Sequence, residues 1–275
     1  CRHDPFGHLL EPGPYAALIS DTYEFKGACT CGTPLFLYPY RMTSSWETQV
    51  KAQIRRRYAV QAEAAGNGAE KAIEAGYPAE LIAGLPPALT ASYSGCGYLF
   101  DGLNFEGDET VVDLGAGAGL DSFIAAKQLS NGRVVSVDMT YEMLQKVNSQ
   151  QLSINLLCAD IEYLPVLSGC ADVVIANASF NLAISKTAAF SEAYRVLKEG
   201  GKLVARDLIK TEELPAEVLT DPLSFNTSLG GALEEEALSA EIEKAGFKDV
   251  SISDHRPFSY VTSVKIEARK PYPGP

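Results

Sequence analysis

The chain is poor in the residues that build metal and nucleic-acid sites. Histidine occurs three times, at His3, His8 and His255, and the three do not cluster at ligand spacing. No Cys-x-x-Cys pair occurs among the six cysteines. A closed zinc site therefore has no support, because four nitrogen or sulfur donors must converge on one ion. Positive charge is also short: 23 Lys and Arg stand against 35 Asp and Glu, a formal net charge of −12. Phosphate binding needs a basic face, so this balance argues against a nucleic-acid partner. The one basic cluster, Arg55-Arg56-Arg57, falls in a predicted helix beside Lys51, Glu47 and Glu63 and reads as a solvated face. No apolar window of about eighteen residues exists, so no membrane span is expected. No secretory signal or internal repeat is visible, and a cytoplasmic location is expected.

What is present is a ligand-binding α/β pattern. The length of 275 residues allows one large domain or one core with an appendage, and 46% apolar content suits a sizeable core. Val111-Val112-Asp113-Leu114-Gly115-Ala116-Gly117-Ala118-Gly119 reads as a buried strand, a tight turn and the start of a helix from Leu120 to Leu129. Glycine serves where backbone bends sharply or a ligand comes close, and the first helical N–H groups then face that ligand. A dinucleotide fingerprint places its third glycine at the sixth position; here that residue is Leu120, and Gly119 comes one position early. Asp113-x-Gly115-x-Gly117-x-Gly119 is instead the loop pattern of S-adenosylmethionine-dependent methyltransferases, against the alternative of a plain glycine-rich turn.

Further strands follow in series. Arg133 to Asp138 ends in an acid able to accept both hydroxyls of a ribose. Ile154 to Cys158 leads to Asp160, a candidate acceptor for an exocyclic adenine amino group or, equally, a simple turn former. Ala171 to Asn177 ends in a polar residue, and a helix from Thr187 to Leu197 with a glycine C-cap precedes a strand from Gly201 to Asp207. Polar residues recur at the carboxyl ends of successive apolar strands, where open parallel sheets bind ligands. The expected fold is α/β: a doubly wound Rossmann-like sheet, mostly parallel with an antiparallel edge from Lys248 to Ser253 and Tyr260 to Arg269.

The cysteines divide. Cys158 and Cys170 read as small core residues. Cys29 and Cys31 form a weak soft-metal signal in a loop. Cys96, in Tyr93-Ser94-Gly95-Cys96-Gly97-Tyr98, sits between glycines and is expected to be accessible; a loop cysteine of no consequence is the alternative.

From about residue 50 to 250 the chain resembles the arsenite methyltransferases, a branch of the class I methyltransferases. Arg57-Tyr58-Ala59 resembles the tyrosine-bearing helix that packs over the cofactor. Tyr93 to Tyr98 resembles the Gly-Cys-Gly loop. Val137-Asp138-Met139-Thr140, Asp160-Ile161-Glu162-Tyr163-Leu164-Pro165, Ala176 to Leu182 and Leu229-Gly230-Gly231-Ala232-Leu233 match further family segments in order. The resemblance implies S-adenosylmethionine as cofactor, held by Tyr58, Asp113, Gly115, Gly117, Gly119, Asp138, Met139, Asp160, Ile161 and Asn177. It implies a substrate site at Cys96, Asn181 and Ser228, with Cys96 as the catalytic thiol. The family holds trivalent arsenic through three thiolates, and only Cys96 is kept. Ala178 and Ser228 stand at the other two positions. Arsenic is soft, and neither an alanine nor a hydroxyl replaces a thiolate.

Three functions follow as expectations: a methyltransferase for a small acceptor such as a thiol, a soft element or an organic molecule; an arsenite methyltransferase using Cys96 with Cys29 and Cys31; and a cofactor-binding protein without turnover. An oxygen or carbon acceptor would need a base, for which Asp207 and Glu162 are candidates and His255 a poor one. The expected organisation is an extension over 1–48, a helical lid over 49–90, the cofactor core over 91–210 and a C-terminal part over 211–275. The lid is expected as two helices ending at Pro86-Pro87.

Overall fold

The computed structural model describes residues 24–28, 34–37, 45–64, 66–147, 152–212, 230–258 and 260–274. Nine strands form one sheet in the order β1-β2-β5-β4-β3-β6-β7-β9-β8. They are β1 (Glu24–Ala28), β2 (Pro34–Leu37), β3 (Thr110–Leu114), β4 (Arg133–Asp138), β5 (Ile154–Cys158), β6 (Ala171–Asn177), β7 (Leu197–Ile209), β8 (Lys248–Phe258) and β9 (Val261–Arg269). From β2 to β7 every neighbouring pair is parallel; β1 at one edge and the β9–β8 pair at the other are antiparallel. The expected doubly wound sheet is therefore present, with a second antiparallel edge. That second edge comes from the extension: β2 joins β5 with Leu37 opposite Cys158.

The central strand β3 is buried along its whole length, which explains its run of branched apolar residues. Among the described residues eight α-helices accompany the sheet: α1 (Ser45–Glu63), α2 (Gly68–Glu74), α3 (Ala79–Ala83), α4 (Pro87–Ala91), α5 (Leu120–Gln128), α6 (Tyr141–Leu144), α7 (Lys186–Val196) and α8 (Glu235–Lys244). On one face, α7 and α8 bury Ala189, Phe190, Ala193, Leu238 and Ile242 against the sheet. Ser185 starts α7 by accepting the Ala188 N–H on its hydroxyl. Phe190 stacks on Phe180 with ring centroids 4.1 Å apart, and full burial of such a ring stabilises by about 1.5–3 kcal/mol. On the other face, α5, α2 and the loop after α2 pack Ile124, Ala125, Ala72 and Tyr77 in one cluster with Val111, Val134 and Ile175.

Two local expectations fail. Residues 45–85 form three helices, not two, and Pro86-Pro87 opens α4 because proline suits a first helical turn that needs no N–H donor. The glycine C-cap of α7 is absent: Leu197 leaves the helix in extended geometry, and Gly200 takes its left-handed φ of 79° only later, at an irregularity in β7.

Candidate active site

The functional centre lies at the carboxyl ends of β3, β4, β5 and β6. Gly115, Gly117 and Gly119 all have positive φ (75°, 55° and 85°), the conformation that favours glycine. The turn is pinned to the next strand, since the Gly115 and Ala116 N–H groups both donate to the Val137 carbonyl, at 2.8 and 2.9 Å. A Cβ on Gly115 would strike Ser179, and one on Gly119 would strike Val147. At Gly117 it would meet nothing within 4 Å. Gly117 therefore opens onto free space.

That space is a cavity partly open to solvent. Gly115 and Gly117 form its floor; Asp138, Met139 and Thr140 form one wall; Asp160, Ile161 and Glu162 form the next. Ile54 and Tyr58 of α1 line it from the lid side. Ser94, Asn177, Ala178, Ser179, Leu182 and Ala183 complete the far end. Asp138 accepts the Gly117 N–H at 2.9 Å and the Thr140 N–H at 2.7 Å, which fixes its carboxylate at the wall. Burial raises its pKa, and these N–H donors oppose that rise.

Eight of the ten expected cofactor residues thus line one cavity. Asp113 and Gly119 do not. Asp113 turns inward beneath the loop and accepts the Ser122 hydroxyl at 2.5 Å. Burial pushes its carboxyl up to about 8, with the Asp121 carboxylate adding to the rise. Gly119 serves the backbone and close packing on Val147.

The expected substrate residues depart further. Cys96 is buried, 3% exposed, in a small apolar cluster with Ala178, Leu208 and Val261. The expectation of an accessible thiol is therefore corrected. Its N–H donates to Asn177 Oδ1 at 2.9 Å and its carbonyl accepts the Ser263 hydroxyl at 2.7 Å, so the flanking glycines let the loop be drawn inward. Burial, and then the nearby Asp207 carboxylate, push the thiol pKa well above its ordinary value. Asn181 is also buried and its backbone N–H donates to Asp207. Asp207, raised to about 6 by burial, holds that turn from inside and does not face the cavity. His255 stands exposed on β8 with Nε2 2.6 Å from Glu235. Cys29, Cys31 and Ser228 lie outside the described residues. Among the described residues no three His, Cys, Asp or Glu side chains gather as a metal site, and no helix is long and apolar enough to cross a membrane.

Four residues went unread in the sequence. Asn177 Nδ2 lies 2.9–3.0 Å from Tyr77 Oη, Gly97 O and Asp121 Oδ2, which share its two hydrogens, and Tyr77 Oη donates to Asp121 Oδ1 at 2.6 Å. Burial raises Asp121 to about 6 despite those donors. Arg206 is fully buried, pairs with Asp254 and packs under Gly97. Lys51, on α1, reaches both Asp160 and Glu162. In each case the partner is distant in sequence, and no local pattern announces it.

A family profile described as "Methyltransferase domain" matches residues 105–246, which include the glycine turn and all the strand ends around the cavity. The chain belongs to the methyltransferase domain family. The arsenite methyltransferase of Halobacterium salinarum is 36% identical over 183 residues, 59% of this chain and 47% of that protein. Arsenite methyltransferases of Aquipseudomonas alcaligenes and Homo sapiens are 30% and 32% identical over 200 and 153 residues, covering 68% and 50% of this chain and 57% and 40% of those proteins. The chain spans about half the length of these curated relatives. Among solved structures, an arsenic(III) S-adenosylmethionine methyltransferase from Chlamydomonas reinhardtii superposes with a TM-score of 0.60 at 26% identity, covering 77% of this chain and 76% of that one. The cavity suits the cofactor: an open cradle at Gly117 lies beside the fixed carboxylate of Asp138.

Proposed function

We propose that this protein transfers a methyl group from S-adenosylmethionine to a small acceptor whose lone pair is available without a protein base: a thiol, a soft element or a comparable organic molecule. Bound S-adenosylmethionine supplies an electrophilic sulfonium methyl. Asp138 would hold the ribose, since each of its oxygens keeps a lone pair after accepting its backbone N–H. The Gly115–Gly117 backbone would lie under the amino-acid portion, with Met139 and Ile161 flanking the base. Tyr58 and Ile54 exclude water from above.

The observation that carries the acceptor class is the state of the cavity's acids. All three carboxylates that line it are engaged: Asp138 by two backbone N–H groups, Asp160 by the Glu162 N–H and Lys51, and Glu162 by the Ile184 N–H and Lys51. The end beside Asn177 is walled by Ala178, Leu182 and Ala183 with Ser94 and Ser179, the latter's hydroxyl already donating to the Leu114 carbonyl. Such a wall favours an apolar or soft acceptor and offers no general base.

Arsenite is the second reading, supported by the names of the relatives. Cys96 and Ala178 share one cluster, so two of the family's three thiol positions are adjacent, with one thiol between them. Cys29 and Cys31 lie outside the described residues, so the relocated-thiol arrangement is decided by their substitution.

Labelled S-adenosylmethionine offered with small thiols, selenite, phenols and arsenite tests both readings. Turnover of a thiol or soft-element acceptor, retained in Cys29→Ser and Cys31→Ser, is the expected result. Arsenite turnover abolished by either variant would establish the second reading, and cofactor binding without turnover on any acceptor would contradict both.

A further inference from the structure

Lys51, Ile54 and Tyr58 are spaced three and four residues apart on α1 and so share one helix face. Ile54 and Tyr58 line the cavity, and Lys51 meets the wall formed after β5. Its Nζ lies 2.6 Å from Asp160 Oδ2 and 3.0 Å from Glu162 Oε2. The ammonium side chain is 12% exposed and both carboxylates are 5% exposed, so the pairs are largely shielded from water. Shielding from solvent is what separates such pairs from exposed ones, which contribute little. The two acids are held from behind by the sheet: Asp160 Oδ1 accepts the Glu162 N–H at 3.0 Å, and Glu162 Oε1 accepts the Ile184 N–H at 2.7 Å. Lys51 is their partner from the opposite side of the cavity, on an element outside the sheet. Further along α1, Tyr58 and Ala62 pack with Ala118 and Met143, beside the glycine turn. The helix thus crosses the cavity from the glycine turn to the β5 acids, and Lys51 ties down its far end.

We propose that Lys51 is a positioning residue for the cofactor, the latch that closes α1 over it, so that nucleoside exchange requires the Lys51–Asp160 and Lys51–Glu162 pairs to part. This rests on the reading of the cavity as the S-adenosylmethionine site. Lys51 neutralises one of two adjacent carboxylates at the wall where the base would lie. It also limits the motion of the face that carries Ile54 and Tyr58. Its effect belongs to residence time and affinity more than to the chemical step.

Stopped-flow dissociation of S-adenosylhomocysteine tests this on the whole chain. In Lys51→Met the dissociation rate rises and affinity falls by about tenfold or more, while kcat at saturating cofactor changes by less than about threefold. Lys51→Arg restores most of the affinity. A Lys51→Met dissociation rate within about twofold of the parent, or a loss of kcat with affinity kept, overturns the latch. Should Lys51→Met fail to fold, a Glu162→Gln dissociation rate within about twofold of the parent overturns it. Failure of the parent to bind S-adenosylhomocysteine at all would strike the cofactor reading itself, which is a distinct result.

Discussion

Cys96 shows what a single residue's surroundings add to its identity. Its glycine neighbours carry no side chain to strike Asn177 and Arg206, and that close approach buries the thiol. Asn177 and Ser263, 81 and 167 residues away, take its N–H and its carbonyl. Neither partner is visible in the local sequence, which is why accessibility was the natural expectation. A raised thiol pKa leaves little thiolate at pH 8, and thiolate is the reactive form. Alkylation of Cys96 by iodoacetamide at pH 8, followed by peptide mass spectrometry, should therefore be at least about tenfold slower in the folded protein than in urea. Equal rates would show that the thiol is open to solvent. The same lesson holds for Asp113, read as a cofactor contact and found beneath the loop on Ser122.

At the scale of elements, the strand–turn–helix around the glycines was legible because its signals are local. A branched apolar run, alternating glycines and an amphipathic stretch sit within some twenty residues. The three glycines differ in what they tolerate. A methyl at Gly117 meets no atom, so Gly117→Ala costs only the left-handed backbone, about 1–2 kcal/mol, and the fold survives. The same methyl stands where the cofactor would lie. S-adenosylhomocysteine affinity in Gly117→Ala should drop by at least about tenfold with the circular dichroism spectrum kept. Undiminished affinity would mean that the turn does not face the cofactor. The lid was less legible: the ends of α1 at Glu63 and of α2 at Glu74 depend on packing against the core, where Gly68 lies too close to the Thr90 carbonyl to bear a side chain.

Over the whole molecule, the mostly parallel sheet and the position of the site at its carboxyl edge follow from alternating strands and helices with polar strand ends. The pair β1–β2 did not, because short strands rich in aromatic and glycine neighbours carry no clear period. Nor did the long-range clamps of Asn177, Arg206 and Lys51, which join segments separated by 48 to 111 residues. They hold together a lid, a loop and a sheet that the motif series treats as separate pieces.

The central claim is that the cavity above the Asp113–Gly119 turn holds the S-adenosyl nucleoside with Asp138 on its sugar. Calorimetric titration of the protein and of Asp138→Ala with S-adenosylhomocysteine tests it most directly. The account predicts one site per chain. It also predicts a loss of about a hundredfold in the variant, as two hydrogen bonds to a charged group at about 1.5 kcal/mol each require. Absent binding, or equal affinity in a folded Asp138→Ala, would contradict it.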